Sequence, residues 1–544
     1  VKIALAQLNY RIGDFTTNLD KIIYAINEAK IKGANLVVFA ELAVCGYPPL
    51  DFLEFEDFIN QTEQSLQKLA DYCQDIAVIV GAPSRNNSDK GKPLFNSAVF
   101  CHQGRLEYFH KGLLPNYDVF DEYRYFEPAK TFNILHFNNF KIALTVCEDI
   151  WDLGMSKLYT IDPMEKLAQE NPDLMINIAA SPFHYDQAKQ RHKVLKANVE
   201  KYGIPLIYVN HVGAQTELIF DGGSAAINAD GTIAHLLPYF KEAIEVVNTI
   251  DLSMGKNRLQ PVFTDKIGLI YEALVMGIKD YFGKMGFNKA VLGLSGGIDS
   301  AVTLVLAADA LGPENVTGLL MPSMYSSDHS IHDALQLAKN LGSPCHTIPI
   351  NDAYEAVESL MAPVFGDTTF GLTQENVQAR LRGLILMAYA NKYNTILLNT
   401  SNKSEAAVGY GTLYGDMNGG ISVLGDIYKT EVYDLARYIN RKAMVIPHNC
   451  IIKPPSAELR PGQLDSDSLP DYGILDKVLF HYIEEQKGPS ELIKMGFEAQ
   501  LVNRILKLVN TNEYKRKQTP PILRVSPKAF GMGRRMPIVA KYLS

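Results

Sequence analysis

No two cysteines in this sequence are spaced as CxxC. The six present (Cys45, Cys73, Cys101, Cys147, Cys345, Cys450) are scattered along 544 residues. That scatter argues against a disulfide framework and for free thiols in a reducing, cytoplasmic compartment. No apolar run reaches the length of a membrane span, so no membrane protein is expected. Basic residues are in deficit: 52 Lys plus Arg against 60 Asp plus Glu leave a net charge of −8. Nothing electrostatic therefore calls for nucleic acid. There is no internal repeat and no low-complexity tail. The first residues, VKIALAQLNY, have the character of a strand rather than of a signal peptide. What is present is an ordinary globular composition, 47% hydrophobic and 21% charged. The chain is too long for one core, and two domains are expected.

Short apolar runs dominate residues 1–252: Ile3–Leu8, Leu36–Ala40, Ile76–Val80, Ser97–Cys101, Ile142–Val146, Leu174–Ile178, Leu206–Val209 and Ser224–Ile227. They predict strands, with helices at Asn18–Lys32 and Gln187–Tyr202 and hairpin turns at His102-Gln-Gly, Asn138-Asn139 and Asn228-Ala-Asp-Gly. Hairpins mixed with βα units predict an α/β sandwich. Three polar residues stand out at strand ends or in the loops that follow: Glu41, Lys111 and Cys147. A carboxylate, an ammonium and a thiol are what amide hydrolysis through a thioester needs: a base, an oxyanion partner and a nucleophile. Spacing alone does not prove it, because a cysteine ending a buried strand is usually a small core residue.

FAELAVCGYP, HKGLLPNYDVFDEYRYFEP and VCEDIW resemble, in order, the Glu, Lys and Cys blocks of the nitrilase superfamily, and most closely the glutaminase domains fused to NAD synthetases. The resemblance implies a glutamine site with Tyr47, Tyr117, Glu148, Ser181 and Gln187. An anionic group would take the amine, and hydroxyls or amides the carboxylate. The stretch between Trp151 and Pro172 is an insertion with no role readable from sequence.

Residues 253–265 carry Gly255 and Pro261 without periodicity and are expected to be a linker between domains at 1–252 and 266–544. Beyond it, strands and helices alternate: Ala290–Leu294, Ala301–Leu311, Val316–Met321, His329–Leu341, Cys345–Ile350, Asp352–Met361, Gln374–Tyr393 and Thr395–Leu398. This pattern predicts a doubly wound parallel sheet, whose ligands bind at the carboxyl ends of strands. AVLGLSGGIDS (Ala290–Ser300) is a strand, a glycine turn and a helix start, a nest for an anion at a helix N-terminus. It lacks the lysine of a GxxxxGK[ST] loop. Asp299 and Glu405 are a reasonable pair of oxygen ligands for Mg²⁺. Lys515 falls in what looks like a basic turn, and 453–472, rich in Pro, Ser and Asp, in a lid or loop ordered on binding, which similarity to the NAD synthetases would place near the ATP site.

SGGIDS resembles the pyrophosphate loop of the N-type ATP pyrophosphatases. Together with ENVQAR, TSNKSE, the GD…GD…YKTEVY region and the late YKR it resembles the NAD synthetases. The resemblance implies that Gly293, Leu294, Ser295, Gly296, Gly297, Ile298, Asp299 and Ser300 cradle ATP, with Thr400, Lys429 and Ser456. It places Asn376, Arg380, Glu405, Asp416 and Lys515 at deamido-NAD⁺, and it implies a homo-oligomer. The expected reaction adenylates the nicotinate carboxylate and amidates it with ammonia from L-glutamine. The fusion suggests an enclosed path for that ammonia. A pyrophosphatase of the GMP or asparagine synthetase type, a lone amidase and a non-catalytic nucleotide sensor are the alternatives. The last predicts loss of Glu41, Cys147 or Asp299, and all three are present.

Overall fold

The structure, a computed structural model, describes residues 1–153, 158–260, 265–366 and 369–543. The chain forms two compact units, Val1–Thr264 and Asp265–Ser544.

In the N-terminal unit one six-stranded sheet runs Ala243–Asn248, Lys2–Gln7, Leu36–Val38, Ala77–Arg85, Leu94–His102, Arg105–His110 from edge to edge. A second runs Ile233–Leu236, Ala225–Ile227, Leu206–Asn210, Leu174–Ala179, Phe140–Val146, Leu135–Phe137. Side chains alternate across a strand. Ile3, Leu5, Leu36, Val38 and Ile79 therefore face the second sheet, in one core with Leu144, Ile176 and Ile207. Ala4, Ala6, Val37 and Val78 face outward, against helices Phe15–Ile31 and Glu56–Tyr72. Both faces are covered, which is why these strands are apolar runs rather than alternating ones. This is the α/β sandwich expected from sequence, with the three hairpins where their turns predicted them.

Two stretches differ from expectation. The 152–172 insertion contains a helix, Pro163–Ala168, capped by Asp162 on Glu165 N, which buries Pro163, Met164 and Leu167. Residues 154–157 of it lie outside the described residues. The expected linker begins inside a helix, Thr249–Met254, and Leu259 bridges to Ile233, so its first half belongs to the sandwich. Its residues 261–264, Pro261 among them, lie outside the described residues.

The C-terminal unit is built on a five-stranded sheet, parallel throughout, in the order Cys345–Thr347, Val316–Leu320, Ala290–Gly293, Ile396–Asn399, Ile421–Ser422. The chain leaves Ala290–Gly293 toward Val316–Leu320 on one side and later returns to its other side at Ile396–Asn399. The strand order reverses there, and a crevice opens at the carboxyl ends. Helix Ile298–Leu311 rises from that point, buried on nearly every side, which explains its almost wholly apolar sequence. Lys515 lies on a short helix, Glu513–Arg516, rather than in a turn.

Candidate functional site

In the N-terminal unit, strand Phe140–Val146 ends in a tight turn, Cys147–Ile150. Cys147 has φ of 45°, a left-handed conformation rare for a residue with a Cβ. Such a bend, costing about 1–2 kcal/mol, persists where the surroundings over-determine it. Here Asp149 does so. Its buried carboxylate accepts from Val146 N at 3.0 Å, and from Gly112 N at 2.9 Å and Leu113 N at 2.8 Å just beyond Lys111. Burial raises the Asp149 carboxyl to about 6 against those bonds.

Lys111 follows strand Arg105–His110 and is wholly buried. Its Nζ donates to Glu41 Oε1 at 2.7 Å and to Glu122 at 2.8 and 3.0 Å. Glu41 also accepts from Asn96 Nδ2 at 2.7 Å and from Ala180 N at 2.9 Å. Burial works against the charge of Lys111, yet Glu122 and Glu41 hold its pKa above the usual lysine value. Burial likewise pushes the Cys147 thiol up, Glu41 adds to this, and Lys111 opposes it. The three sequence candidates are thus brought within electrostatic reach of one another. Glu122, which sequence reasoning missed, completes the set; its neighbours in FDEYRYF make it look like a surface charge.

The expected glutamine residues fall into three places. Tyr117 donates to Glu148 Oε1 at 2.9 Å, beside the nucleophile. Gln187 donates to Ser181 Oγ at 3.0 Å. The hydroxyl of Tyr47 is buried on Glu122 Oε1 at 3.2 Å, which makes it a support of the lysine cluster.

In the C-terminal unit a cavity of about 290 Å³ opens at the carboxyl ends of the central strands. Gly293, Leu294, Ser295, Gly297, Ile298, Asp299 and Ser300 line it, with Thr400, Glu405, Asp416, Lys429 and Ser456. Ser295 and Ser300 brace the turn: their hydroxyls are 3.1 Å apart, and Gly297 N donates to Ser295 Oγ at 3.2 Å. Gly296 does not face the cavity. It has φ of +76°, and a Cβ there would lie 2.1 Å from Ser330 O. Its role is to let the turn lie against helix Asp328–Leu341.

Asn402 connects the two candidate metal ligands. Its Nδ2 donates to Asp299 Oδ1 at 2.9 Å, while its Oδ1 accepts from Glu405 N at 2.9 Å. Lys429 Nζ lies 2.5 Å from Asp299 Oδ2 and 3.5 Å from Glu405 Oε1. Burial and the charge of Asp299 raise the Glu405 carboxyl to about 8, against Lys429. Lys429 balances Asp299 while Glu405 holds its proton at neutral pH, and a hard cation that completes its shell with phosphate oxygens would take that proton's place between the two oxygen donors. Among the described residues no three His, Cys, Asp or Glu form a cage of their own.

Asn376, Arg380 and Lys515 stand outside the cavity lining. All three fasten the loop before Asp416: Asn376 Oδ1 accepts from Thr412 Oγ1 at 2.7 Å, Arg380 Nε donates to Leu413 O at 3.3 Å, and Lys515 Nζ donates to Gly409 O and Gly411 O at 2.8 Å. Sequence reasoning missed Arg382, which does line the cavity and donates to Met321 O at 3.0 Å. Burial lowers its guanidinium to about 10, against Asp416 and Glu458. The expected loop near the nucleotide also reaches the lining, through Lys453–Leu459 and Asp465.

Two family models match the chain: carbon-nitrogen hydrolase over residues 2–257 and NAD synthase over residues 270–519. It is 46% identical to a glutamine-dependent NAD(+) synthetase of Synechocystis sp., over 99% of this chain and 99% of that protein. It is 39% identical to the one of Thermotoga maritima, over 100% of this chain and 99% of that protein. The solved structure of a glutamine-dependent NAD+ synthetase from Acinetobacter baumannii in complex with adenosine diphosphate matches with a TM-score of 0.78 at 36% identity, covering 99% of this chain and 98% of that one.

Proposed function

The chain belongs to the glutamine-dependent NAD(+) synthetases, and from that premise we propose how its residues divide the work. It is a carbon–nitrogen ligase that hydrolyses glutamine and makes NAD⁺. The substrates are L-glutamine, ATP and deamido-NAD⁺.

In the N-terminal unit Glu41 takes the Cys147 proton as the sulfur attacks the side-chain amide carbon of glutamine. The thiol is held neutral by burial, so proton removal and attack go together rather than through a standing thiolate. Lys111 offsets the oxyanion of the tetrahedral intermediate. Glu41 returns that proton to the departing nitrogen, ammonia leaves, a γ-glutamyl thioester remains, and the ionised Glu41 then takes a proton from water as it attacks the thioester, releasing glutamate and restoring the thiol. Glu148 receives the α-ammonium of glutamine, while Ser181 and Gln187 face its carboxylate.

In the C-terminal unit the turn Ser295–Ser300 holds the β- and γ-phosphates of ATP on backbone N–H groups at the start of helix Ile298–Leu311. The nicotinate carboxylate of deamido-NAD⁺ attacks the α-phosphorus and pyrophosphate leaves. Ammonia displaces AMP from the acyl adenylate, because AMP is a competent leaving group and oxide is not. Thr400, Lys429 and Ser456 contact ATP. Glu405 and Asp416 face deamido-NAD⁺ from the cavity lining. Asn376, Arg380 and Lys515 act on the same substrate through the loop they fasten. Asp299 and Glu405 would hold Mg²⁺, which neutralises phosphate charge.

We further assign a homo-oligomer and a cytoplasmic location. Leu360, Val364, Leu372 and Leu384 leave large apolar surfaces exposed on the two helices Asn351–Phe365 and Leu372–Tyr393. The cysteines are free, and among the described residues no helix is long and apolar enough to cross a membrane.

The observation that carries the two-chemistry reading is the fully buried Lys111–Glu41 pair acting on the Cys147 thiol. The test is Cys147→Ala, assayed for NAD⁺ from deamido-NAD⁺ and ATP with glutamine or with ammonium chloride. Loss with glutamine and retention with ammonium is expected. Unchanged glutamine-dependent synthesis would overturn the nucleophile assignment.

A further inference from the structure

One oxygen of Glu148 is claimed by two tyrosines from different parts of the chain. Tyr117, in the loop after Lys111, donates to Oε1 at 2.9 Å, and Tyr159, from the insertion after the nucleophile turn, donates to the same Oε1 at 3.0 Å. Among the described residues no hydrogen bond reaches Oε2. Glu148 is 6% exposed and Tyr117 is 42% exposed, so the carboxylate lies beneath the tyrosine that binds it.

Two O–H donors on one oxygen do two things. They favour the ionised form against the cost of burial, and they fix the plane of the carboxylate, leaving the second oxygen to point one way. For Glu148 burial raises the carboxyl, and the bonds from Tyr117 and Tyr159 oppose this. Tyr159 is itself held in place. Three residues on, Asp162 caps helix Pro163–Ala168 and accepts from Lys201 Nζ at 3.2 Å, and Met164 and Leu167 of that helix pack into the core between the sheets.

We propose that Tyr159 is a positioning residue for substrate selection: with Tyr117 it orients Glu148 so that Oε2 receives the α-ammonium of glutamine. Tyr159 thus helps the site to tell an α-amino amide from a plain carboxamide. The proposal rests on the glutaminase reading above, in which Glu148 faces the amine.

The experiment compares the full chain with Tyr159→Phe on two substrates. One is L-glutamine. The other is glutaric acid monoamide, which has the same amide and carboxylate and no α-amine. Loss of one of the two hydrogen bonds that orient the charged Glu148 should raise KM for glutamine roughly tenfold. The kcat for glutamine, and kcat/KM for the monoamide, should stay within about twofold, since the reacting atoms are untouched. Glu148→Gln should abolish the preference for glutamine altogether. Equal losses on both substrates, or no change on either, would overturn the proposal; hydrolysis of the monoamide shows that the variant is folded. If the unmodified enzyme hydrolyses both amides equally, or keeps its glutaminase activity as Cys147→Ala, the underlying glutaminase reading fails instead, and the proposal with it.

Discussion

Glu122 lies 2.8 Å from Lys111 in a place where both side chains are almost completely shielded from water. Lys111 is thereby shared between Glu122 and Glu41, two carboxylates against one ammonium. Burial raises the Glu122 carboxyl to about 7, against Lys111.

A carboxyl whose pKa is higher folded than unfolded binds more protons in the native state. The stability it contributes is complete below its unfolded value and is lost as pH rises through about 7. Glu122→Gln should remove this slope. Urea unfolding of the N-terminal unit at pH 5, 6, 7 and 8 should show the unmodified protein losing stability relative to the variant as pH increases. Parallel pH dependences would refute it.

Lys111→Met leaves two buried carboxylates without a cation. Breaking a buried pair in this way costs about 3–5 kcal/mol, so the unfolding midpoint of the N-terminal unit should fall sharply at pH 8. The fall should be smaller at pH 5, where Glu122 is protonated. Ammonia-driven NAD⁺ synthesis reports on the other unit and should persist at temperatures where both units are folded.

Asp299 and Glu405 share Lys429, and the charge of Asp299 helps to raise Glu405 to about 8. Because Asp299 is assigned above as a ligand of Mg²⁺ at the phosphates, Asp299→Asn should lower ATP–pyrophosphate exchange dependent on deamido-NAD⁺ by about 100-fold, equivalent to roughly 2.7 kcal/mol. Glutamine hydrolysis should be unaffected. Chelation by EDTA should abolish the exchange in the unmodified enzyme, Mg²⁺ should restore it, and glutamine hydrolysis should be indifferent to both. Exchange that survives chelation would remove the metal from these two residues.

Gly296 and Gly203 share a left-handed conformation but differ in surroundings. A Cβ at Gly296 would lie 2.1 Å from Ser330 O, while one at Gly203 would meet nothing within 4 Å. Gly203→Ala should cost only the strain of that conformation, about 1–2 kcal/mol. Gly296→Ala should also displace the turn from helix Asp328–Leu341, and its KM for ATP should rise at least about tenfold, roughly 1.4 kcal/mol. Equal thermal shifts and an unchanged KM in both variants would refute the packing argument.

Local pattern determined a great deal here. Runs such as LVVFA and AVLGL are apolar on both faces, and only strands covered on both sides need that. Strand–turn–helix punctuation at SGGIDS marked a glycine turn at the end of Ala290–Gly293, and Glu41 and Cys147 were visible because each ends or follows an apolar run, whereas Lys111 stood out only through the resemblance of its block, HKGLLPNY. What local pattern cannot carry is a partner distant in the chain. Ala243–Asn248 closes the first sheet only by pairing with Lys2–Gln7. Glu122 becomes part of the lysine cluster because the chain turns it inward, and nothing in DEYR distinguishes it from a solvated charge. Tyr159 reaches Glu148 from a stretch with no readable periodicity. Arg382 lines the cavity while Arg380, two residues earlier, does not, because successive helix positions turn by about 100° and only the packing of Leu372–Tyr393 decides which side faces inward. Residue types and periodicity name the chemistry available, and burial, which depends on every other element at once, selects which of those residues share a charge, a proton or a substrate.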